Sequence, residues 1–174
     1  MLKKPVFLVG FMGSGKTTWG KRMAHKLKLS FYDTDHLIAE REGLSISEIF
    51  DLKGEAYFRE LETELLNTLP NLPAIVATGG GLPCFHENMK KLNSMGTTVY
   101  LELPPKALFQ RLLIEKNKRP LLAHLDDQNL LKFIETRLAE RENTYLQAQI
   151  VVKVLKADTN SLTEHLLQTE NTNT

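Results

Sequence analysis

Residues 10 to 17 read Gly10-Phe11-Met12-Gly13-Ser14-Gly15-Lys16-Thr17, a G-x-x-x-x-G-K-[ST] loop that follows the apolar run Val6-Phe7-Leu8-Val9 and precedes a helical pattern. This loop constrains the fold more than any other stretch, because it works only between a buried strand and a helix whose positive end faces the ligand. The glycines free backbone N–H groups to converge on phosphate oxygens, Lys16 adds a point charge, and the Thr17 hydroxyl can hold Mg²⁺. The chain is therefore expected to bind a nucleoside triphosphate through Gly13, Ser14, Gly15, Lys16, Thr17 and Thr18. A plain flexible turn would also use glycine, but it would not require the full pattern in this strand-to-helix setting.

Length and composition narrow the rest. At 174 residues the chain suits one well-buried domain spanning 1–174. Apolar residues make up 42% and charged residues 25%, with a formal net charge of +1. That balance carries no basic excess for nucleic acid, so anionic ligands must be held by local arginines and lysines. The single cysteine, Cys84, cannot form an intrachain disulfide, and it reads as a packing residue in a reducing compartment. No apolar stretch approaches membrane-spanning length and no apolar leader precedes the first strand. The expectation is a monomeric cytoplasmic protein with no membrane or nucleic-acid partner.

Five short apolar, β-branched runs are expected strands, over 5–9, 31–32, 74–77, 97–103 and 150–155. Helical patterns between them predict a three-layer α/β/α fold around a five-stranded parallel sheet, with ligands at the carboxyl ends of the strands. In the first helix, Trp19, Met23 and Leu27 form a core-facing stripe. Ser45-Ile46-Ser47-Glu48 is a capping box that starts a helix, Gly54 interrupts it, and Phe58, Leu61 and Leu65 continue an apolar face to about residue 69. The polar segment 113–127, with Lys116, Lys118, Arg119 and Pro120, is the expected lid. Leu131, Ile134, Leu138 and Tyr145 form the stripe of a helix over 128–147, and the polar tail 168–174 is expected to fray.

A phosphate loop serves GTPases, ATPases and small-molecule kinases alike, so other motifs must discriminate. Asp51-Leu52-Lys53-Gly54 imitates a GTPase D-x-x-G, yet it lies in a helical pattern. Asn117-Lys118-Arg119-Pro120 begins like a guanine-reading N-K-x-D, but Pro120 replaces the carboxylate. The second strand ends in Asp33-Thr34-Asp35, where one carboxylate can serve Mg²⁺ and the other a substrate hydroxyl. Asp35 can equally cap a helix ahead of Leu37-Ile38-Ala39. The third strand ends in Thr78-Gly79-Gly80-Gly81, which permits close approach to a ligand and lacks a strand-end aspartate; Asp33 must then support the metal, directly or through water.

These motifs occur together and in order with Gly54-Glu55-Ala56-Tyr57-Phe58-Arg59, Glu62, Arg119-Pro120-Leu121-Leu122, Arg141 and Tyr145, and the whole set resembles the shikimate kinase family from the first strand to about Asn160. The resemblance implies transfer of the ATP γ-phosphoryl group to the 3-hydroxyl of shikimate, a step toward chorismate and the aromatic amino acids, on a fold similar to that of the nucleoside monophosphate kinases. By match of motif it implies that Lys16, Asp33, Asp35 and Arg119 are catalytic and that Thr17 and Asp33 hold Mg²⁺. It further implies that Asp35, Arg59, Gly79, Gly80, Gly81 and Arg141 bind shikimate, with much of that site in the helical region 35–62. Arg111 and Asn160 would join Arg119 around ATP, although Leu112 is an alternative point of alignment for Arg111. On residue chemistry alone Arg59 could simply pair with Glu55 and Glu62 on a helix surface, and Arg141 with its acidic neighbours. A gluconate-type kinase or a nucleotide-binding module without turnover are the rival readings.

Overall fold

The structure, a computed structural model, describes residues 2–69, 71–115, 122 and 125–172. Five parallel strands, β1 (Val6–Val9), β2 (Ser30–Asp33), β3 (Ala74–Ala77), β4 (Thr97–Glu102) and β5 (Ile150–Lys153), form one sheet in the order β2-β3-β1-β4-β5. Between them run α1 (Lys16–Leu27), α2 (Thr34–Glu42), α3 (Ile46–Thr68), a 3₁₀ turn (Leu82–Cys84), α4 (Asn88–Met95), α5 (Pro105–Glu115) and α6 (Asp127–Tyr145), and α7 (Thr159–Thr172) follows β5. Val6 to Val9 and Ala74 to Ala77 are buried throughout, as strands covered by helices on both faces must be. The chain leaves β1 toward β2 on one side and later toward β4 on the other. That divergence opens a crevice at the carboxyl end of β1, where the phosphate loop sits.

Trp19 and Met23 of α1 are buried against the sheet and Leu27 packs at the margin of the core. Ser45 and Glu48 close the expected capping box, and Gly54 adopts φ 84°, ψ 168°, a kink inside α3. The D-x-x-G imitation at 51–54 thus lies within a helix. Three expectations need correction. Asp33, not Asp35, caps α2: its Oδ1 accepts from the backbone N–H groups of Asp35 and His36 at 3.2 and 3.5 Å. On α6 the buried stripe runs Leu130, Ile134, Leu138, because steps of four keep one face inward and Leu131 falls about 100° off it. The tail expected to fray continues α7 as far as Thr172; residues 173–174 lie outside the described residues. Both ends of the expected lid belong to helices, Leu113–Glu115 to α5 and Asp127 to α6, and Leu122 is buried in the core. Lys116, Asn117, Lys118, Arg119 and Pro120 lie outside the described residues.

Candidate active site

Two clefts meet at the carboxyl edge of the sheet. The first, of about 550 Å³, is lined by the phosphate loop, Trp19, Arg22, Asp33, Asp35, Thr78, Gly80, Arg111 and Ile114. The second, of about 480 Å³, lies between α2, α3, the 3₁₀ turn and α6 and is lined by Asp35, Arg59, Glu62, Gly79 to Gly81, Phe85, Arg137 and Arg141 among others. Met12, Asp35 and Gly80 line both. A donor in one cleft and an acceptor in the other would therefore face each other across Asp35.

In the first cleft the loop is wound tightly, with Gly13 and Gly15 at φ 78° and 99°, backbone that other residues rarely adopt. Lys16 is buried and donates from Nζ to the carbonyl oxygens of Gly10 and Phe11 at 2.7 and 2.9 Å, which holds the ammonium under the loop. Thr17 Oγ1 donates to Asp33 Oδ2 at 2.8 Å, so the hydroxyl and the carboxylate expected to share a metal stand together. Thr17 and Asp33 offer oxygen donors, the ligand type Mg²⁺ takes alongside water and phosphate oxygens. Arg111 reaches back from α5 to the carbonyl oxygens of Gly13 and Ser14 at 3.2 and 3.1 Å and lines the cleft, while Leu112 is buried beneath Gly13. Thr18 is on the cleft wall. Ser14 is fully buried under the loop instead, and Asn160 sits outside the cleft, where its Oδ1 accepts from Lys26 in a shallow depression that shares only Arg22 with it.

The second cleft is built around Arg59. Its Nε and Nη2 donate to Glu55 Oε1 at 3.1 and 2.8 Å and its Nη1 to Glu62 Oε2 at 2.6 Å. The ion pairs legible as helix-surface pairs exist, but Arg59 is 8% exposed and Glu62 fully buried, so they are the wall of a cavity. Burial pushes the Glu62 carboxyl up to about 7; Arg59 and Arg141 oppose that rise and the neighbouring Asp35 adds to it. Among the described residues Glu62 Oε1 has no hydrogen-bond partner. Each glycine of the turn answers a different neighbour: a side chain on Gly79 would strike Asp35 and Glu62, one on Gly81 the Arg59 guanidinium, and one on Gly80 the phosphate loop at Met12. Gly79 N donates to Thr34 Oγ1 at 2.7 Å and Tyr145 Oη to the Gly80 carbonyl at 2.6 Å, which fixes the turn from both sides. Burial raises the Tyr145 phenol, and also the Cys84 thiol on the same wall, so both are neutral.

The cleft thus gathers Asp35, Arg59, Gly79, Gly80, Gly81 and Arg141 from four separate stretches of chain. A shikimate kinase family model matches residues 12–170. The chain belongs to the shikimate kinase family. The shikimate kinase of Bacteroides fragilis is 42% identical over 94% of this chain and 92% of its own length. The crystal structure of the Bacteroides thetaiotaomicron shikimate kinase superposes with a TM-score of 0.86 at 39% identity, covering 97% of this chain and 98% of that one. The shikimate kinase of Acinetobacter baumannii, solved in complex with shikimate, gives 0.83 at 34% identity over 98% and 94%. A gluconokinase from Sinorhizobium meliloti gives 0.55 at 16% identity, a likeness of fold alone. As a kinase, the chain must bring a nucleotide and an acceptor hydroxyl together, and its two clefts are arranged to do so.

Sequence reasoning left several residues of a shikimate kinase site of this kind without a role. Glu62 was visible three residues beyond Arg59, but its burial comes from packing against α2 and the glycine turn, which no local pattern reports. Phe85, with its ring 4.3 Å from the Arg59 guanidinium carbon, carried no signal at all. Met12, Trp19, Arg22 and Ile114 of the nucleotide cleft read as loop, core or surface.

Proposed function

We propose that this chain transfers the γ-phosphoryl group of ATP to the 3-hydroxyl of shikimate, giving shikimate 3-phosphate and ADP, as a monomeric cytoplasmic enzyme of aromatic amino acid biosynthesis. The observation that carries the reading is the meeting of the two clefts at Asp35, with an anion-binding loop on one side and Arg59 and Arg141 on the other. Loop N–H groups and Lys16 hold the β and γ phosphates. Thr17 and Asp33 would hold Mg²⁺, which when bound would supply charge neutralisation at the transferring group. Asp35 accepts a hydrogen bond from the attacking hydroxyl and takes its proton as the new O–P bond forms. Arg59 and Arg141 grip the carboxylate from two helices, a fixed fork that lysines could not supply. Backbone groups of Gly79 to Gly81 close on the ring, and Arg119, outside the described residues, acts at the transferring phosphate. Arg111 lies against ATP.

The gluconate-type alternative shares the fold, so only acceptor chemistry separates them, and paired arginines in the acceptor cleft favour a carboxylate held on a rigid ring. The test is Mg²⁺-dependent ADP release with shikimate, with gluconate and with no acceptor. Release confined to shikimate is expected; release with gluconate alone would overturn the acceptor, and background rates in all three with nucleotide still bound would favour a module without turnover. Arg119→Ala is expected to lower kcat by about a hundredfold while the fold survives. Full turnover in that variant would remove Arg119 from the catalytic set.

A further inference from the structure

Directly after the glycine turn the chain does something costly. His86 and Glu87 take φ 49° and 56° in succession, a left-handed pair without glycine, and Glu87 begins α4 with no side-chain cap. Such strain persists only where its surroundings impose it, and here they are identifiable. Asn88 is fully buried; its Nδ2 donates to the Leu82 carbonyl at 3.0 Å and to Thr63 Oγ1 at 3.2 Å, and Thr63 Oγ1 donates in turn to the Arg59 carbonyl at 3.0 Å. The loop is thereby tied to the same turn of α3 that carries Arg59. What the strained loop delivers is Phe85, whose ring lies 4.3 Å from the guanidinium carbon, against 5.3 Å for Phe58 and 5.8 Å for Phe50.

We infer that Phe85 is a positioning residue for recognition of the acceptor carboxylate, its ring face holding the Arg59 guanidinium in place at the wall of the cleft. A ring face attracts the cation without offering a carboxylate or carbonyl oxygen, so the attraction does not compete with the Arg59 hydrogen bonds to Glu55 and Glu62. Phe85 itself lines the acceptor cleft beside Cys84, placed to act on the arginine and not on the reacting atoms. The inference rests on the shikimate reading above. Phe85→Leu keeps an apolar side chain but removes the π face, and Phe85→Tyr keeps the face. Phe85→Leu is expected to raise the KM for shikimate about three- to thirtyfold, with kcat and the KM for ATP within about twofold of wild type, and Phe85→Tyr to restore the shikimate KM. An unchanged shikimate KM in Phe85→Leu would overturn the inference, as would a parallel fall in kcat and ATP affinity, or a tyrosine variant as impaired as the leucine one. Wild-type enzyme whose ADP release ignores shikimate would instead overturn the acceptor reading, and this inference with it.

Discussion

Arg59 already carries two carboxylates before any acceptor arrives, and that single arrangement sets the behaviour of its pocket. Glu55 is more than half exposed and can turn into water, whereas Glu62 is sealed in. On the proposed reading Glu62 holds Arg59 in place, and an incoming carboxylate would take the place of Glu55. Arg59→Ala should cost about 2–4 kcal/mol in acceptor recognition, seen as a raised shikimate KM with ATP binding spared, because it deletes charged hydrogen bonds in a desolvated site. An unchanged KM would remove Arg59 from the clamp. Glu62 also makes a stability prediction. Its carboxyl moves from an ordinary 4.5 to about 7 on folding, so the folded chain holds that proton more tightly than the unfolded one. The associated stability is fully present below about pH 4.5 and is lost as pH rises through 7, a loss of up to ~3 kcal/mol. Glu62→Gln cannot titrate there, so thermal unfolding between about pH 5 and pH 8 should fall more steeply for the wild type than for the variant. Parallel curves would refute the raised carboxyl. The residue types around Arg59 were legible; their burial was not, because i,i+3 and i,i+4 charge spacing is identical on a wet face and a cavity wall.

Local elements were read well where the signal was local, and one residue shows where it was not. Gly15-Lys16-Thr17 after an apolar run, and Ser45 with Glu48, carry their own hydrogen-bonding logic, and α1 and α3 begin where that logic says. Asp33-Thr34-Asp35 offers two good caps one turn-step apart, and only the strand's end decides between them. Because β2 keeps pairing with β3 through Asp33, the helix starts one residue later and Asp33 becomes its cap. The same carboxylate accepts from Thr17, so one side chain joins a helix end to the phosphate loop. The two duties can be separated. Asparagine caps about as well as aspartate but lacks its charge, so Asp33→Asn should unfold within ~0.5 kcal/mol of wild type yet lose about tenfold or more of its Mg²⁺-dependent turnover. Asp33→Ala should lose turnover and also about 1 kcal/mol of stability. Denaturant melts beside Mg²⁺ titrations of ADP release check both. Equal stability in all three proteins would mean the cap is idle, and full activity in the asparagine variant would place the metal elsewhere.

At the scale of the whole molecule the alternation of strands and helices made the sheet foreseeable, but not that the chain is held by two cores. The larger covers both faces of the sheet. Among the described residues the smaller buries Ile38, Ile49, Phe58, Leu61 and Leu65, contributed by α2 and α3, with Leu37, Leu44, Ile46, Phe50 and Tyr57 half-buried against them, and the acceptor cleft lies between it and the sheet. A cluster of five buried side chains, with a kink at Gly54 in its longer helix, stabilises its region far less than the sheet core does, so it should open locally at lower free energy. The acceptor would bridge that boundary, touching Asp35 and Arg59 on one side and Arg141 and the glycine turn on the other. Binding at a hundredfold excess over Kd adds about 2.7 kcal/mol to whatever state holds all four, equivalent to about a hundredfold smaller open population. Amide hydrogen exchange over 34–58 should therefore outpace that of β1, β3 and β4 in the free enzyme and slow sharply with shikimate. ATP without acceptor should instead protect 10–18, where the phosphate loop supplies the N–H groups. If 34–58 matched the sheet in the free enzyme, or ignored shikimate, the smaller core would have to be an integral part of the larger, and closure of the acceptor site would have to originate elsewhere in the chain.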